Sequence, residues 1–264
     1  MRIVTWNINS LRLRLPLLER LAGALSPDVI CLQETKVPDE LFPHQAGPAL
    51  GYPYVAHRGM KSYNGVAIFS RIPLSVDADA PDWCLRNDRR HLAVTLHAPF
   101  GPITLHDFYV PAGGDVPDPT LNLKFAHKLA FLDEVTRHFI RYPPRRSVLV
   151  GDLNVAPLEH DVWSHRQLLD VVCHTPPELE RFAAWLQTGF TDAMRYFVPA
   201  AEKLYTWWSY RNREWRLSDR GRRLDHMWVT PDLVPALRGL TVLKQARDWP
   251  MPSDHVPVMI QLDL

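Results

Sequence analysis

The sequence predicts an α/β fold in which two packed, mixed β-sheets are flanked by helices. Strand-like and helix-like apolar patterns are interleaved along all 264 residues, with no repeat, low-complexity run or composition break to mark a boundary. Several neighbouring strand patterns are joined by short polar turns, as in hairpins, which argues against a purely parallel sheet. The longest helical pattern is closed by Pro143-Pro144, so the helices are separate pieces that can cover sheet faces. One domain over 1–264 is expected, long enough for a substantial core.

Arg2 to Ile8 reads as a strand, and Leu11 to Leu25 carries apolar residues at helical spacing up to Ser26-Pro27. Val29 to Leu32 is a short buried strand running into Gln33-Glu34-Thr35. Tyr52 to His57 and Gly65 to Phe69 form a strand pair around the polar loop Arg58 to Asn64. His91 to His97 and Ile103 to Val110 form a second pair, turning at Pro99-Phe-Gly-Pro102. Leu121 to Tyr142 is the long helix. Val148 to Leu153 is a buried strand, and Glu178 to Leu186 is helical after Pro176-Pro177. Leu224 to Val229 and Val256 to Leu264 are the last two strands.

Composition narrows the function classes. The net charge of +1 excludes nucleic-acid binding by bulk charge, so any such contact needs a local patch. Cys31, Cys84 and Cys173 are too scattered for a metal-ligand spacing or a disulfide framework, as suits a reducing compartment. With a strand at its start and no signal peptide or apolar span, the chain is expected to be a cytoplasmic enzyme without a membrane partner.

The chemistry gathers at strand ends. In Ser147-Val-Leu-Val-Gly-Asp-Leu-Asn154 a buried strand stops abruptly and delivers a carboxylate and a carboxamide, two residues apart, to one face. Such a pair suits phosphoryl transfer, the acid handling a metal or proton and the amide meeting developing negative charge. Asn7, Glu34, Tyr109, Asp225 and His255 stand in the same position relative to their own strands. Polar residues at a strand end are ordinary one at a time. Seven with complementary chemistry mark an active site.

These segments resemble the exonuclease III and apurinic/apyrimidinic endonuclease family of the endonuclease/exonuclease/phosphatase superfamily. The resemblance lies in Thr5-Trp-Asn-Ile-Asn9, Leu32-Gln-Glu-Thr-Lys36, Gly65-Val-Ala-Ile68, Phe108-Tyr-Val-Pro111 and Gly151-Asp-Leu-Asn154. It continues through Tyr205-Thr-Trp-Trp208, Arg223-Leu-Asp225 and Pro252-Ser-Asp-His255, so it spans essentially the whole chain. It implies a four-layer α/β sandwich like that of deoxyribonuclease I and a phosphodiesterase dependent on Mg²⁺ or Mn²⁺. The partner would be duplex DNA with abasic, nicked or 3′-blocked ends, and the family habit is monomeric action.

The same resemblance assigns roles. Glu34 matches the principal metal carboxylate, with Asn7 beside it and Asp254 adding negative charge. His255 matches the histidine that activates water or steadies the phosphate, and Asp225 the acid that holds its ring. Asp152 matches the base for water or the acid for the departing 3′ oxygen. Asn154 and Tyr109 would hydrogen-bond phosphoryl oxygens. Asp152, Asn154 and His255 also stand close enough in role to be counted with the metal set.

DNA contact is expected from Tyr205 to Arg223, where arginines 211, 213, 216, 220, 222 and 223 face only Glu214 and Asp219 and alternate with aromatics. In relatives, Trp207 and Leu224 line the pocket for the sugar at the cleavage site. Arg89, Arg90 and Lys124 match positions that face the duplex backbone. Ala112 stands where relatives often carry a polar residue that reaches DNA. Cys173-His174 falls on a wall of the sugar pocket; His174 either fills the space that an abasic sugar needs or caps and packs before the next helix. The first alternative favours 3′-end processing over abasic incision. The rival functions are a phosphoinositide or phospholipid phosphoesterase of the same superfamily, disfavoured by the Trp/Arg segment, and a dead DNA-binding module, disfavoured by the complete set of acids and histidine.

Overall fold

The computed structural model describes residues 1–78 and 80–264. The strands are β1 (Arg2–Asn7), β2 (Val29–Gln33), β3 (Tyr54–Arg58), β4 (Val66–Ser70), β5 (Leu74–Val76), β6 (His91–Ala98), β7 (Gly101–Tyr109), β8 (Ser147–Asp152), β9 (Thr191–Asp192), β10 (Asp225–Val229), β11 (Leu237–Val242) and β12 (Val258–Leu262). They form two six-stranded sheets, ordered β11-β12-β1-β2-β4-β3 and β5-β6-β7-β8-β10-β9. Each sheet has one parallel pair, β1 with β2 and β7 with β8.

Alternation along the strands builds the layers. Ile3, Val29, Cys31, Ile68, Leu105, Val148, Val150, Met227 and Ile260 point inward and form a core shared by the two sheets. Val4, Trp6, Ile30 and Leu32 point the other way and are covered by Leu17, Leu18 and Leu21 of the helix Leu11–Leu25. On the second sheet Phe108, Leu149 and Trp228 meet Phe131, Leu132, Val135 and Phe139 of the helix Leu123–Arg141. Phe182 and Trp185 of Pro176–Leu186 join them. The result is helix, sheet, sheet, helix: the four-layer sandwich expected.

The expected elements are all present, with ends shifted by up to two residues. Three strands have no counterpart in the sequence pattern: β5, β9 and β11. All three lie at sheet edges, where one side of the strand is free. β5 and β9 are too short for a period to register, and β11 holds Arg238 and Gly239 with a register shift between Leu237 and Gly239.

Candidate active site

The parity that places Val148 and Val150 in the core also turns Asp152 inward at the end of β8. The same count on β1, β7 and β10 turns Asn7, Tyr109 and Asp225 to the inner faces. Gly151 makes the register possible: at φ +143° its Cα lies so near β7 that a Cβ would stand 1.9 Å from the Phe108 carbonyl oxygen. Glu34 follows β2 with a left-handed backbone, φ +52°, and Asn154 does the same after β8 at φ +53°. His255 is anchored by the Trp6 indole, which donates to its carbonyl at 3.1 Å, and by Ser253, whose hydroxyl donates to the Asn7 carbonyl at 2.7 Å.

Asn7 joins the two halves of the site. Its Nδ2 donates to Glu34 Oε1 at 3.0 Å and to Asp152 Oδ2 at 2.9 Å, while its Oδ1 accepts from the Asn9 backbone at 3.1 Å. The opposite amide orientation would set an oxygen between two carboxylates. Asn7 therefore offers a donor to both acids and aligns Glu34 and Asp152. Tyr109 donates its hydroxyl to Glu34 Oε1 at 2.8 Å, so its one proton goes to the acid. Lys36 pairs with Glu34 Oε2 at 2.7 Å. Burial by itself would raise the Glu34 carboxyl, but Lys36 and the bonds from Asn7 and Tyr109 hold it below its ordinary value. Burial, reinforced by Glu34 and Asp152, pushes the Tyr109 hydroxyl well up, keeping it a neutral donor.

His255 gives Nδ1 to Asp225 Oδ2 at 2.8 Å and places Nε2 3.6 Å from Asp152 Oδ2. Thr206 donates to the same Asp225 oxygen at 2.6 Å, while Asp225 Oδ1 is buried without a hydrogen-bond partner among the described residues. Burial would lower the imidazole, but the charges of Asp225 and Asp152 outweigh it and raise it. Burial raises Asp152, against the pull of His255 and Asn7. Asp254 accepts from Asn9 at 3.1 Å and from the Trp207 indole at 2.9 Å. Burial works against its charge, and His255 with these two bonds restores it below the ordinary value.

This donor set suits a divalent cation. Glu34, Asp152, Asp225 and Asp254 are four acids, and among the described residues bonded or ion-paired to them only Lys36 and His255 offset them. Oxygen ligands in excess negative charge are what a hard cation requires. Asp152, Asp225 and His255 offer ligand atoms within 4.8 Å of one another. However, the His255–Asp225 contact is already a hydrogen bond, which leaves Glu34 and Asp152 as the better-disposed acids.

A cavity of about 860 Å³ opens beside Asn154, walled by Trp207, Leu224, Cys173, Ala112 and several arginines. Asn154 donates Nδ2 to the Val110 carbonyl at 2.9 Å, which fixes its amide at the mouth. Trp207, Leu224, Ala112, Cys173 and Arg211 thus gather around one cavity. Arg213 and Lys124 are exposed and do not line the cavity. Arg89 and Arg90 border a separate small hollow. Arg90 pairs with Asp88 and stacks over Tyr109, centroid 4.9 Å away.

Two alternatives left open by the sequence divide here. His174 does not intrude into the cavity: it is fully buried, with Nδ1 2.6 Å from the Ala156 carbonyl and Nε2 2.7 Å from His165 Nδ1. Cys173 lines the cavity and His174 does not, so the His174 side chain is a packed, hydrogen-bonded one. The arginine run is also not one patch. Arg223 is fully buried against Asp161 and Asp192, and Arg216 pairs with Asp248.

Two basic residues have no place in the sequence reading. Lys128, fully buried, donates to the Asn154 carbonyl at 2.7 Å and pairs with Glu178, which also accepts from the Cys173 backbone. A signal exists for it: a lysine in the apolar stripe with Phe125 and Leu132. Arg14 reaches the carbonyls of Asn9, Met251 and Pro252, clasping two loops of the site. Nothing in its local pattern announces that.

A four-layer sandwich whose inner strand ends bring a hydrogen-bonded His–Asp pair and an excess of acids to an open cavity is built as a phosphoester hydrolase. The chain belongs to the Endonuclease/Exonuclease/phosphatase family, whose profile matches residues 4–255, and within it to the exonuclease III and AP endonuclease branch. It is 31% identical to exodeoxyribonuclease III of Haemophilus influenzae over 98% of each chain. It is 28% identical to the DNA repair nuclease APEX1 of Danio rerio, over 99% of this chain and 82% of that one. Among solved structures, the 3′ phosphatase NExo from Neisseria, bound to a product DNA hairpin, is similar at TM-score 0.88 and 31% identity. An AP endonuclease from Archaeoglobus fulgidus is similar at TM-score 0.89 and 30% identity. Both of these cover the whole of each chain.

Proposed function

We propose that this protein is a metal-dependent DNA repair nuclease that hydrolyses phosphoester bonds in duplex DNA at abasic sites, nicks and blocked 3′ ends. The observation that carries the reading is the Asn7 amide, which holds Glu34 and Asp152 together beside the Asp225–His255 pair. That arrangement sets an acid for a cation, an acid for a proton and a positively charged imidazole around one point. The relatives named as repair nucleases, and the structure described as holding a product DNA hairpin, support DNA as the substrate.

Glu34, with Asp152 nearby, would hold Mg²⁺ or Mn²⁺, which when bound would draw charge from the phosphoryl oxygens. Asp152, its proton affinity raised by burial, takes the proton from the attacking water. His255, kept cationic by Asp225, faces the phosphoryl group as negative charge grows, and the free N–H of the Asn154 amide adds a second donor. Tyr109 and Asn7 keep Glu34 in place. The cavity beside Asn154 receives whatever is attached beyond the phosphate.

The test is hydrolysis of blunt, abasic and 3′-phosphate duplexes with and without added Mg²⁺. Activity on at least one of these, lost in Glu34→Ala at low Mg²⁺ and partly regained at high Mg²⁺, is expected. Turnover of a phosphoinositide or phospholipid with none on any DNA end would sink the proposal.

A further inference from the structure

Arg222 is the anomaly of the cavity wall. Its backbone is fixed by three hydrogen bonds to Thr206 and Trp207, of 2.8, 3.0 and 3.0 Å. The guanidinium lies over the Trp207 ring, 5.2 Å from its centroid, and makes a 3.2 Å bond to Cys173 Sγ. A thiol is a weak acceptor. The Arg222 Nε is buried with no partner, and no carboxylate reaches the side chain among the described residues. The other arginines of the region behave differently: Arg223, Arg195 and Arg216 each hold an aspartate. Arg222 is thus a cation without its anion, facing a cavity that Arg211 and Arg220 also line and to which Asp115 contributes the one acid.

We infer that Arg222 is a specificity-determining residue that makes this cavity select fragments carrying a second negative charge just beyond the scissile phosphate. The inference rests on the nuclease reading above. Asn154, whose backbone N–H donates to Asp152 Oδ1 at 3.0 Å, and Leu224, next to Asp225, both line the cavity, so a group esterified to a phosphate at His255 and Asp152 has the cavity as its next space. A neutral fragment there leaves the guanidinium without an anion. A carboxylate or phosphate meets its planar fork and forms charge-assisted, two-point hydrogen bonds. The reaction is ordinary hydrolysis: water adds to phosphorus, the bond to the 3′ oxygen breaks, and that oxygen ends as a hydroxyl. The fragment leaves as a phosphomonoester that keeps its second charge.

The second anion has two sources, a small carboxylate left on a damaged 3′ end or the next phosphate after an internal abasic sugar. Two arms separate them. The first compares kcat/KM on duplexes ending in 3′-phosphoglycolate and in the uncharged 2-hydroxyethyl ester of similar length. The second compares internal abasic duplexes whose following linkage is either a phosphate or a neutral methylphosphonate.

In at least one arm the unmodified protein should prefer the charged member by about tenfold or more. Arg222→Met should erase that preference and Arg222→Lys should retain part of it. Equal rates on charged and neutral members in both arms, or a preference that survives Arg222→Met, would overturn the assignment while leaving the nuclease reading intact. Failure of the unmodified protein on every DNA end would overturn both together. Because the readout is a ratio on one preparation, a general loss of folded protein does not imitate the result.

Discussion

Arg223 and Asp225 are two residues apart, yet they belong to buried charge clusters of opposite design. Arg223 grips Asp161 with two nitrogens at 2.8 Å each and Asp192 with the third at 2.6 Å. Arg195 adds a 2.5 Å bond to Asp161, and Asp192 caps the helix Ala193–Phe197 through the Met194 and Arg195 backbones. Two arginines meet two aspartates there, and the cluster is neutral and closed on its acids, all four carboxylate oxygens being bonded. Around Asp225 the acids outnumber their cations, and Asp225 itself keeps a buried oxygen without a hydrogen-bond partner among the described residues. A closed cluster holds the chain in register. An open one keeps its field for something that arrives from outside.

The strongest way to break the contrast is Asp225→Asn. The shape is kept, but an amide neither stabilises a charged imidazole nor selects the same ring tautomer. Turnover should fall by roughly three to four orders of magnitude, as for comparable carboxylate–imidazole pairs, with little change in melting temperature. Near-normal turnover with an unchanged pH profile would separate Asp225 from the chemistry.

Arg223→Met should show the reverse pattern. It takes the only cation from Asp192 among the described residues and leaves the buried Asp161 to Arg195 alone, a change of about 3–5 kcal/mol in stability, visible in thermal or urea melts before it is visible in kcat. A variant that melts normally would mean that the closed cluster is dispensable.

Asp107 sharpens the comparison as a buried acid of a third kind. It accepts from Gln33 Nε2 at 2.6 Å, and its other oxygen has no hydrogen-bond partner among the described residues. Burial pushes its carboxyl well above the usual range. The folded chain therefore retains a proton that the unfolded chain releases. Its contribution to stability is complete below the ordinary carboxyl pKa of about 3.9 and is lost as pH rises towards the raised folded value. Asp107→Asn, nearly the same shape, should flatten that decline in urea midpoints measured from acid to neutral pH. The same slope in both proteins would show that another group carries it.

The smallest effect is expected at the surface. Arg211 and Arg213 are exposed. Their joint replacement by Ala should reduce the salt dependence of DNA binding by about 0.9 in log–log slope for each phosphate that is no longer neutralised. An unaltered slope would leave them as solvated side chains.

Legibility in the sequence follows the same division. Strand ends are readable because a period of two fixes the face: once Val148 and Val150 are core, Asp152 has to point inward. The edge strands β5, β9 and β11 are not, since half-solvated edges need no continuous apolar run. Arg222 and Arg223 look alike in the string of letters. Asp161 and Asp192, distant in sequence and close in space, take one of them into the fold and leave the other at the cavity.

By itself the sequence determined the α/β sandwich, the order of its main strands and helices, and the family. It also determined the set of acids, amides and histidine at the strand ends. These rest on local rules: alternation, helical spacing, proline stops and motif spacing. Only the tertiary structure decided which way each polar group faces. It turned the Asn7 amide nitrogen to the acids, gave the Tyr109 proton to Glu34, buried His174 between Ala156 and His165, and left Arg222 without a carboxylate among the described residues. Each of those outcomes depends on partners brought from other parts of the chain, and a hydrogen bond across tens of residues has no signature in the local pattern.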